Sequence, residues 1–131
     1  MNLEKNYIDL CNSVFFDTYA FFEILKGNPN YSKYSSYKII TTKLNLFELY
    51  LGLLRDVDEE KAELEFERYY GFIVNFDGEV LKEAARLKMK LNKRNVSMVD
   101  CIGYSLARQL GIKFLTGDKE FEGMDNVEFC K

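Results

Sequence analysis

Four carboxylate side chains stand at the ends of apolar segments in this chain. They are Asp17, Glu48, Asp100 and Asp118. The chain contains no histidine, so carboxylates are its main means of binding a metal. Carboxylate oxygens favour hard cations such as Mg²⁺ or Mn²⁺. These residue types indicate metal-dependent hydrolysis of a phosphodiester, in which a cation activates water and neutralises phosphate charge.

Three of these carboxylates also have an alternative structural role. Asp17 and Asp118 each follow an apolar strand and open a turn or helix, where a carboxylate caps backbone N–H groups. Asp100 lies three residues after Ser97, which is the spacing of a capping box. Both roles stay open for all three residues.

Glu48 lies on a predicted helix, residues 42–55, that is apolar almost all round. Its polar stripe consists of Asn45, Glu48, Gly52 and Arg55. The stripe is either a solvated edge or the wall of a polar cleft. We favour the cleft, because burying an unpaired carboxylate is costly.

Short apolar segments alternate with helical ones along the chain. Strands are predicted at 13–16, 38–41, 72–75, 112–115 and 127–129, and helices at 19–26, 31–37, 42–55, 58–70, 77–91 and 97–110. This order predicts an α/β fold with a central parallel sheet of four to five strands and helices on both faces. Ligands of such sheets bind beyond the carboxyl ends of the strands, so Asp17 and Asp118 should share one edge.

Composition sets further bounds on the protein. Its 131 residues suit one domain. The absence of a signal peptide or an apolar run long enough for a bilayer, with three scattered cysteines, predicts a cytoplasmic protein with no membrane partner. The net charge of −3 would become +1 if the four carboxylates were neutralised. A basic stretch, 86–94, then stands out, but charge neither supports nor excludes an RNA partner.

Four segments together resemble the PIN domain family, and within it the toxins of VapBC-type toxin–antitoxin modules. They are residues 14–18, 41–49, 97–107 and 114–121. The resemblance implies a Rossmann-like PIN domain with an acidic cluster around Mg²⁺ or Mn²⁺. In that cluster Asp17, Glu48, Asp100 and Asp118 would be both metal ligands and catalytic residues. Thr116 would support them by hydrogen bonding, with Thr18 a weaker candidate.

The chain departs from this family pattern in three places. Residues 1–12 precede the domain at 13–131, and three interpretations stay open for them: an N-terminal extension, an additional structural element or a misplaced start. Gly103 replaces a small residue that is often Ala, which we take as a mild change. Glu120 stands where many relatives have a second Asp, so a further metal ligand there stays open.

The implied activity is a metal-dependent endoribonuclease, with tRNA or rRNA as target, that leaves a 5′-phosphate and a 3′-hydroxyl. The implied partners are an antitoxin and a second copy in a homodimer. Lysines and the 86–94 stretch are candidates for the RNA backbone, although a solvated helix face is the simpler account of most. Part of the aromatic run Tyr19, Phe21, Phe22, Tyr31, Tyr34 and Tyr37 is expected in the core, and the rest in an antitoxin groove or dimer interface.

Two alternatives keep the PIN fold: a housekeeping RNA-processing nuclease, and a non-catalytic interaction module. The module is disfavoured because all four acids are present. A phosphoaspartate receiver domain also places acids at a sheet edge. Its adjacent acids after the first strand and its lysine near the end are missing from this sequence.

Overall fold

The computed structural model describes residues 12–131. Nearly all of the predicted N-terminal extension, residues 1–11, lies outside the described residues. The described part contains β1 (Ser13–Phe16), α1 (Thr18–Leu25), β2 (Lys38–Ile40), α2 (Lys43–Asp56), α3 (Glu59–Tyr70), α4 (Gly78–Lys90), α5 (Met98–Leu110), β3 (Lys113–Thr116) and β4 (Val127–Phe129). Two 3-10 helices, Pro29–Ser36 and Lys119–Phe121, complete it.

The four strands form one parallel sheet in the order β2-β1-β3-β4. Phe15 on the central β1 lies beside Ile40 of β2 and Phe114 of β3. Short apolar strands of this kind form parallel sheets that are covered on both faces. The α/β class predicted from the sequence is confirmed, and every strand delivers its carboxyl end to the same edge.

Alternate residues of the central strands supply two cores. On one face Phe15 stacks on Phe114 with ring centroids 5.6 Å apart, under α4 and α5. On the other face Phe16 and Leu115 pack with Phe21 of α1 and with residues of α2 and α3. The sheet is therefore a rigid base, and loops at its carboxyl edge are held from both sides.

The predicted strand at 72–75 is wrong. Only Ile73 pairs with the sheet, through a single parallel bridge to Thr41. Two backbone hydrogen bonds make this bridge, from the Thr41 N–H to Phe72 O and from the Val74 N–H to Thr41 O. β2 is itself only three residues long, so it offers little further backbone for this segment to pair with.

The aromatic run divides between core and surface. Phe21, Tyr31 and Tyr34 are fully buried in the core, Tyr19 and Phe22 are half-buried, and Tyr37 is exposed. The core role predicted for part of the run is confirmed, and the antitoxin groove or dimer interface predicted for the rest stays a prediction. Across residues 12–131, no helix has the length and apolar character needed to cross a bilayer.

Candidate functional site

Asp17 lies at the carboxyl end of β1 and is 2% exposed. Its Oδ1 accepts a hydrogen bond from the Thr18 N–H at 2.8 Å, which caps α1. Its Oδ2 accepts a bond from the Thr116 hydroxyl at 2.7 Å. The two roles left open by the sequence coexist: Asp17 caps a helix and is also a buried carboxylate at the sheet edge.

Thr116 joins two of the predicted carboxylates. It ends β3, donates its hydroxyl to Asp17, and accepts a hydrogen bond from the Asp118 N–H at 3.1 Å. Asp118 in turn caps the short 3-10 helix by accepting the Glu120 N–H at 3.0 Å. The predicted supporting contact of Thr116 is thus present, and it ties the end of β3 to the end of β1.

Glu48 is held by a chain of hydrogen bonds that runs through α2. The Thr18 hydroxyl donates to Glu48 Oε1 at 2.6 Å. The Asn45 amide donates to Thr18 Oγ1 at 3.1 Å, and the Thr42 hydroxyl donates to Asn45 Oδ1 at 2.7 Å. An ionised carboxylate can only accept hydrogen bonds. The Thr18 hydroxyl must therefore donate to Glu48, which leaves its oxygen to accept from Asn45. Glu48 is half-buried here rather than solvated.

Asn45 and Thr42 are the site residues that sequence reasoning missed. Both are fully buried. The available signal was an amide on the polar stripe of a helix that is otherwise apolar. Such an amide must find partners when it is buried. Of the four stripe residues, the sequence prediction gives a functional role to Glu48 alone.

Asp100 opens α5 and forms the predicted capping box with Ser97. Its Oδ2 accepts the Ser97 N–H at 2.9 Å, and its own N–H donates to the Ser97 hydroxyl at 3.1 Å. These two capping contacts use Oδ2 and the backbone N–H of Asp100. The capping role therefore leaves one oxygen available to a ligand.

The pKa values show that the carboxylates share one electrostatic environment. Burial raises the pKa of Asp17 to about 8, with further repulsion from Asp100 and Glu48. Burial also raises the pKa of Glu48, against the lowering effect of the Thr18 bond. The pKa of Asp100 is raised by burial and by repulsion from Asp118, while the Ser97 bonds and Lys88 lower it. Each predicted site carboxylate therefore acts electrostatically on at least one other.

The donor set fits a hard divalent cation, although the side chains as they stand form no ready cluster. Within residues 12–131 no three acidic or thiol groups are arranged to hold a metal ion. The carboxylates nevertheless act on one another electrostatically, and Asp17 forms no ion pair with a cationic side chain of the described part. The Glu120 turn also carries a buried carboxylate oxygen, Oε2, without a partner there. A cation would supply the missing positive charge.

This arrangement defines a class of protein: a Rossmann-like α/β domain whose acidic residues gather at the carboxyl edge of the sheet. A family model for the PIN domain matches residues 14–127. The chain belongs to the PIN domain family. A search of curated proteins finds no match to this sequence.

Solved structures share the fold at low sequence identity. The Mycobacterium tuberculosis toxin VapC20, described as cleaving the sarcin-ricin loop, is 17% identical with a TM-score of 0.75, over 91% of this chain and 100% of its own. A toxin–antitoxin complex from Klebsiella pneumoniae is 15% identical with a TM-score of 0.70, over 88% and 96%. VapBC2 from Rickettsia felis, bound to a promoter DNA fragment, is 16% identical with a TM-score of 0.69, over 90% and 98%.

Proposed function

We propose that this protein is a metal-dependent endoribonuclease and the toxin of a VapBC-type pair, acting in the cytoplasm with Mg²⁺ or Mn²⁺. The observation that carries the proposal is the electrostatic coupling of Asp17, Glu48, Asp100 and Asp118 near the carboxyl edge of the sheet, where Thr116 and Thr18 orient Asp17 and Glu48. Structural neighbours that are toxins or toxin–antitoxin complexes support the choice of class. The free, buried thiols of Cys101 and Cys130 suit a reducing compartment.

The four acids, Asp17, Glu48, Asp100 and Asp118, would hold the cation and serve as the catalytic residues. When bound, a divalent cation supplies activation of water and neutralisation of phosphate charge. Thr116 orients Asp17 through its hydroxyl, and Thr18 orients Glu48. Water adds to the scissile phosphorus and the 3′-oxygen leaves, which gives a 5′-phosphate and a 3′-hydroxyl. We infer tRNA or rRNA as the target, because the resemblance to VapBC-type toxins implies it.

An antitoxin is the protein partner that this class implies. Tyr19, Phe22 and Tyr37 are the aromatic residues left for its groove, and they are only partly exposed. A more exposed apolar surface lies on α2. On α2, Phe47 is 65% exposed beside Glu48, and Leu51 and Leu54 continue the same exposed apolar side. We expect an amphipathic antitoxin segment to pack here, one turn from the acidic site. A homodimer of this chain stays a prediction.

Cleavage of structured RNA by the purified protein tests the proposal. We expect cleavage with Mg²⁺ or Mn²⁺, none in EDTA, and a loss of at least about a hundredfold in Asp100→Asn, since an amide is a poor replacement for a charged ligand. Asp58→Asn is the matched control, because Asp58 caps α3 from an exposed position and Asn caps equally well.

The proposal is wrong if RNA is cleaved equally in EDTA, or if Asp100→Asn cleaves as well as Asp58→Asn. Product ends provide a second check. Products that carry a 2′,3′-cyclic phosphate and a 5′-hydroxyl would show that a ribose 2′-hydroxyl, rather than water, attacks the phosphorus.

A further inference from the structure

Two basic side chains, one at the end of α4 and one in the loop before α5, are fixed beside the acidic site. Lys88 lies in the last turn of α4 and donates its ammonium to Val96 O at 2.9 Å. It lowers the pKa of Asp100, so its charge acts on the site. A lysine near a helix C-terminus also interacts favourably with the helix dipole. That interaction alone does not require the ammonium to reach across to the loop before α5.

Arg94 reaches the other side of the site. Its Nη1 donates to Glu120 O at 2.9 Å, in the turn that Asp118 caps. The buried residues Leu91 and Val96 anchor the loop at both ends. The guanidinium and the ammonium are therefore held by backbone carbonyls at the elements that carry Asp118 and Asp100.

Neither cation has a carboxylate partner. Within the described chain, no Asp or Glu oxygen lies within 4.0 Å of the side-chain nitrogens of Lys88 or Arg94. Earlier on α4, by contrast, Lys82 pairs with Glu79 and Arg86 pairs with Glu83. Each carbonyl bond uses one of the three donors of a lysine or one of the five donors of an arginine. The remaining donors are free for another acceptor.

A phosphodiester is an acceptor that this position suits. RNA must approach a cluster of carboxylates whose field repels each phosphate, and fixed cations beside the cluster offset that repulsion. We propose that Lys88 and Arg94 bind the RNA phosphates that flank the scissile bond on the α4–α5 side. This rests on the proposed function, since it assigns residues to the same substrate. Among the basic residues of the 86–94 stretch, the proposal assigns phosphate binding to these two alone.

The test is RNA binding by fluorescence anisotropy, with a short fluorescein-labelled single-stranded RNA and Mg²⁺ in an Asp100→Asn background. We expect Lys88→Gln and Arg94→Gln each to weaken binding about fivefold. The salt dependence should fall by about 1.4 in log–log slope for the double variant, from about 0.7 per lost phosphate contact on a single strand. Lys88→Arg should keep most of the affinity, because the charge remains.

Lys82→Gln with Arg86→Gln is the matched control. It removes the same total charge, but from α4 residues that are already paired with Glu79 and Glu83. Equal affinity and equal salt slope in the two double variants would overturn the proposal. So would a Lys88→Gln and Arg94→Gln protein that binds RNA as the parent does. Thermal unfolding of each variant separates lost binding from lost fold.

The two proposals fail separately. The binding assay requires no cleavage, so an RNA-binding protein without nuclease activity would still lose affinity with these two cations. If the protein cleaves RNA but its RNA affinity is unchanged when both cations are removed, the proposed function stands and only the role of Lys88 and Arg94 is refuted.

Discussion

Thr18 joins two elements of the site through a single hydroxyl. It follows Asp17 at the start of α1 and donates to Glu48 on α2, while the buried Asn45 donates to Thr18 in turn. Outer contacts of this kind orient a ligand and tune its basicity. Thr18 is therefore a stronger support of the site than the sequence resemblance alone suggests.

Thr18→Val should lower the affinity for Mn²⁺ by about tenfold, within the range for loss of an outer-shell partner. Valine keeps the shape of threonine but removes the donor to Glu48. Calorimetric titration of Mn²⁺ measures the change. Thr41→Val is the matched control, since Thr41 is buried at the same edge and its hydroxyl donates to Phe16 O rather than to a carboxylate. Equal affinities in the two variants would show that the hydroxyl of Thr18 does not position the ligand.

Sequence reasoning reached the four carboxylates because strand ends and helix starts are visible as changes from apolar to polar residues. The polar stripe marks Asn45, but a linear pattern does not show that its partners are Thr18 and the N-cap residue Thr42. The pairing of Thr116 with Asp17 joins residues 99 positions apart and depends on the register of β1 beside β3. That register is a property of the folded sheet.

At the scale of elements, α5 packs unusually close to the sheet. A Cβ at Gly103 would lie 2.8 Å from Cε1 of the buried Phe15 ring and 3.2 Å from the Phe114 ring. Real Cβ atoms essentially never lie within 3.0 Å of a neighbour, so the Phe15 ring would have to move. Alanine at this position is therefore not the mild exchange that the sequence comparison suggested.

Gly103→Ala should destabilise the protein by about 1–2 kcal/mol, because overpacking exceeds the gain in helix propensity. Denaturant unfolding measures the change. Gly78→Ala is the control: it lies in the first turn of α4 with no atom within 4 Å of its Cβ position, and should be neutral or stabilising. If both substitutions stabilise the protein, the close contact of α5 with Phe15 is incorrect.

The alternation of strands and helices was sufficient to predict the parallel sheet, since the apolar runs at β1, β3 and β4 are flanked by turn residues. The segment 72–75 carries a similar apolar run but contributes a single bridging residue at Ile73. A short apolar run shows a tendency to be extended and buried. Whether it pairs depends on the length of the neighbouring strand, here β2 with three residues.

At the scale of the whole molecule, the carboxylate cluster opposes folding in the absence of a cation. The pKa of Asp17 in the folded protein, about 8, lies above its ordinary value of 3.8. The folded state therefore binds a proton that the unfolded state has released between these values. Stability from this group is fully present below about pH 4 and is lost as the pH rises through about 8.

The metal-free protein should therefore melt at a lower temperature at about pH 8 than at about pH 5, by roughly 5 °C or more. Mg²⁺ should remove most of this difference, because it stabilises the charged carboxylates. Thermal unfolding in EDTA and in Mg²⁺ at both pH values measures it. Asp17→Asn is the control, since an amide does not titrate, and its metal-free slope should be flatter. A wild-type protein equally stable at both pH values in EDTA would argue against this account of Asp17.

Direct titration of Mn²⁺ into the protein tests the central claim that four carboxylates form one cation site. We compare wild type with Asp17→Asn, Glu48→Gln, Asp100→Asn and Asp118→Asn, and with Asp58→Asn as the control. Saturable binding in wild type and Asp58→Asn, weakened in all four site variants, is the predicted result. No binding in wild type, or binding that all four site variants retain, would contradict it.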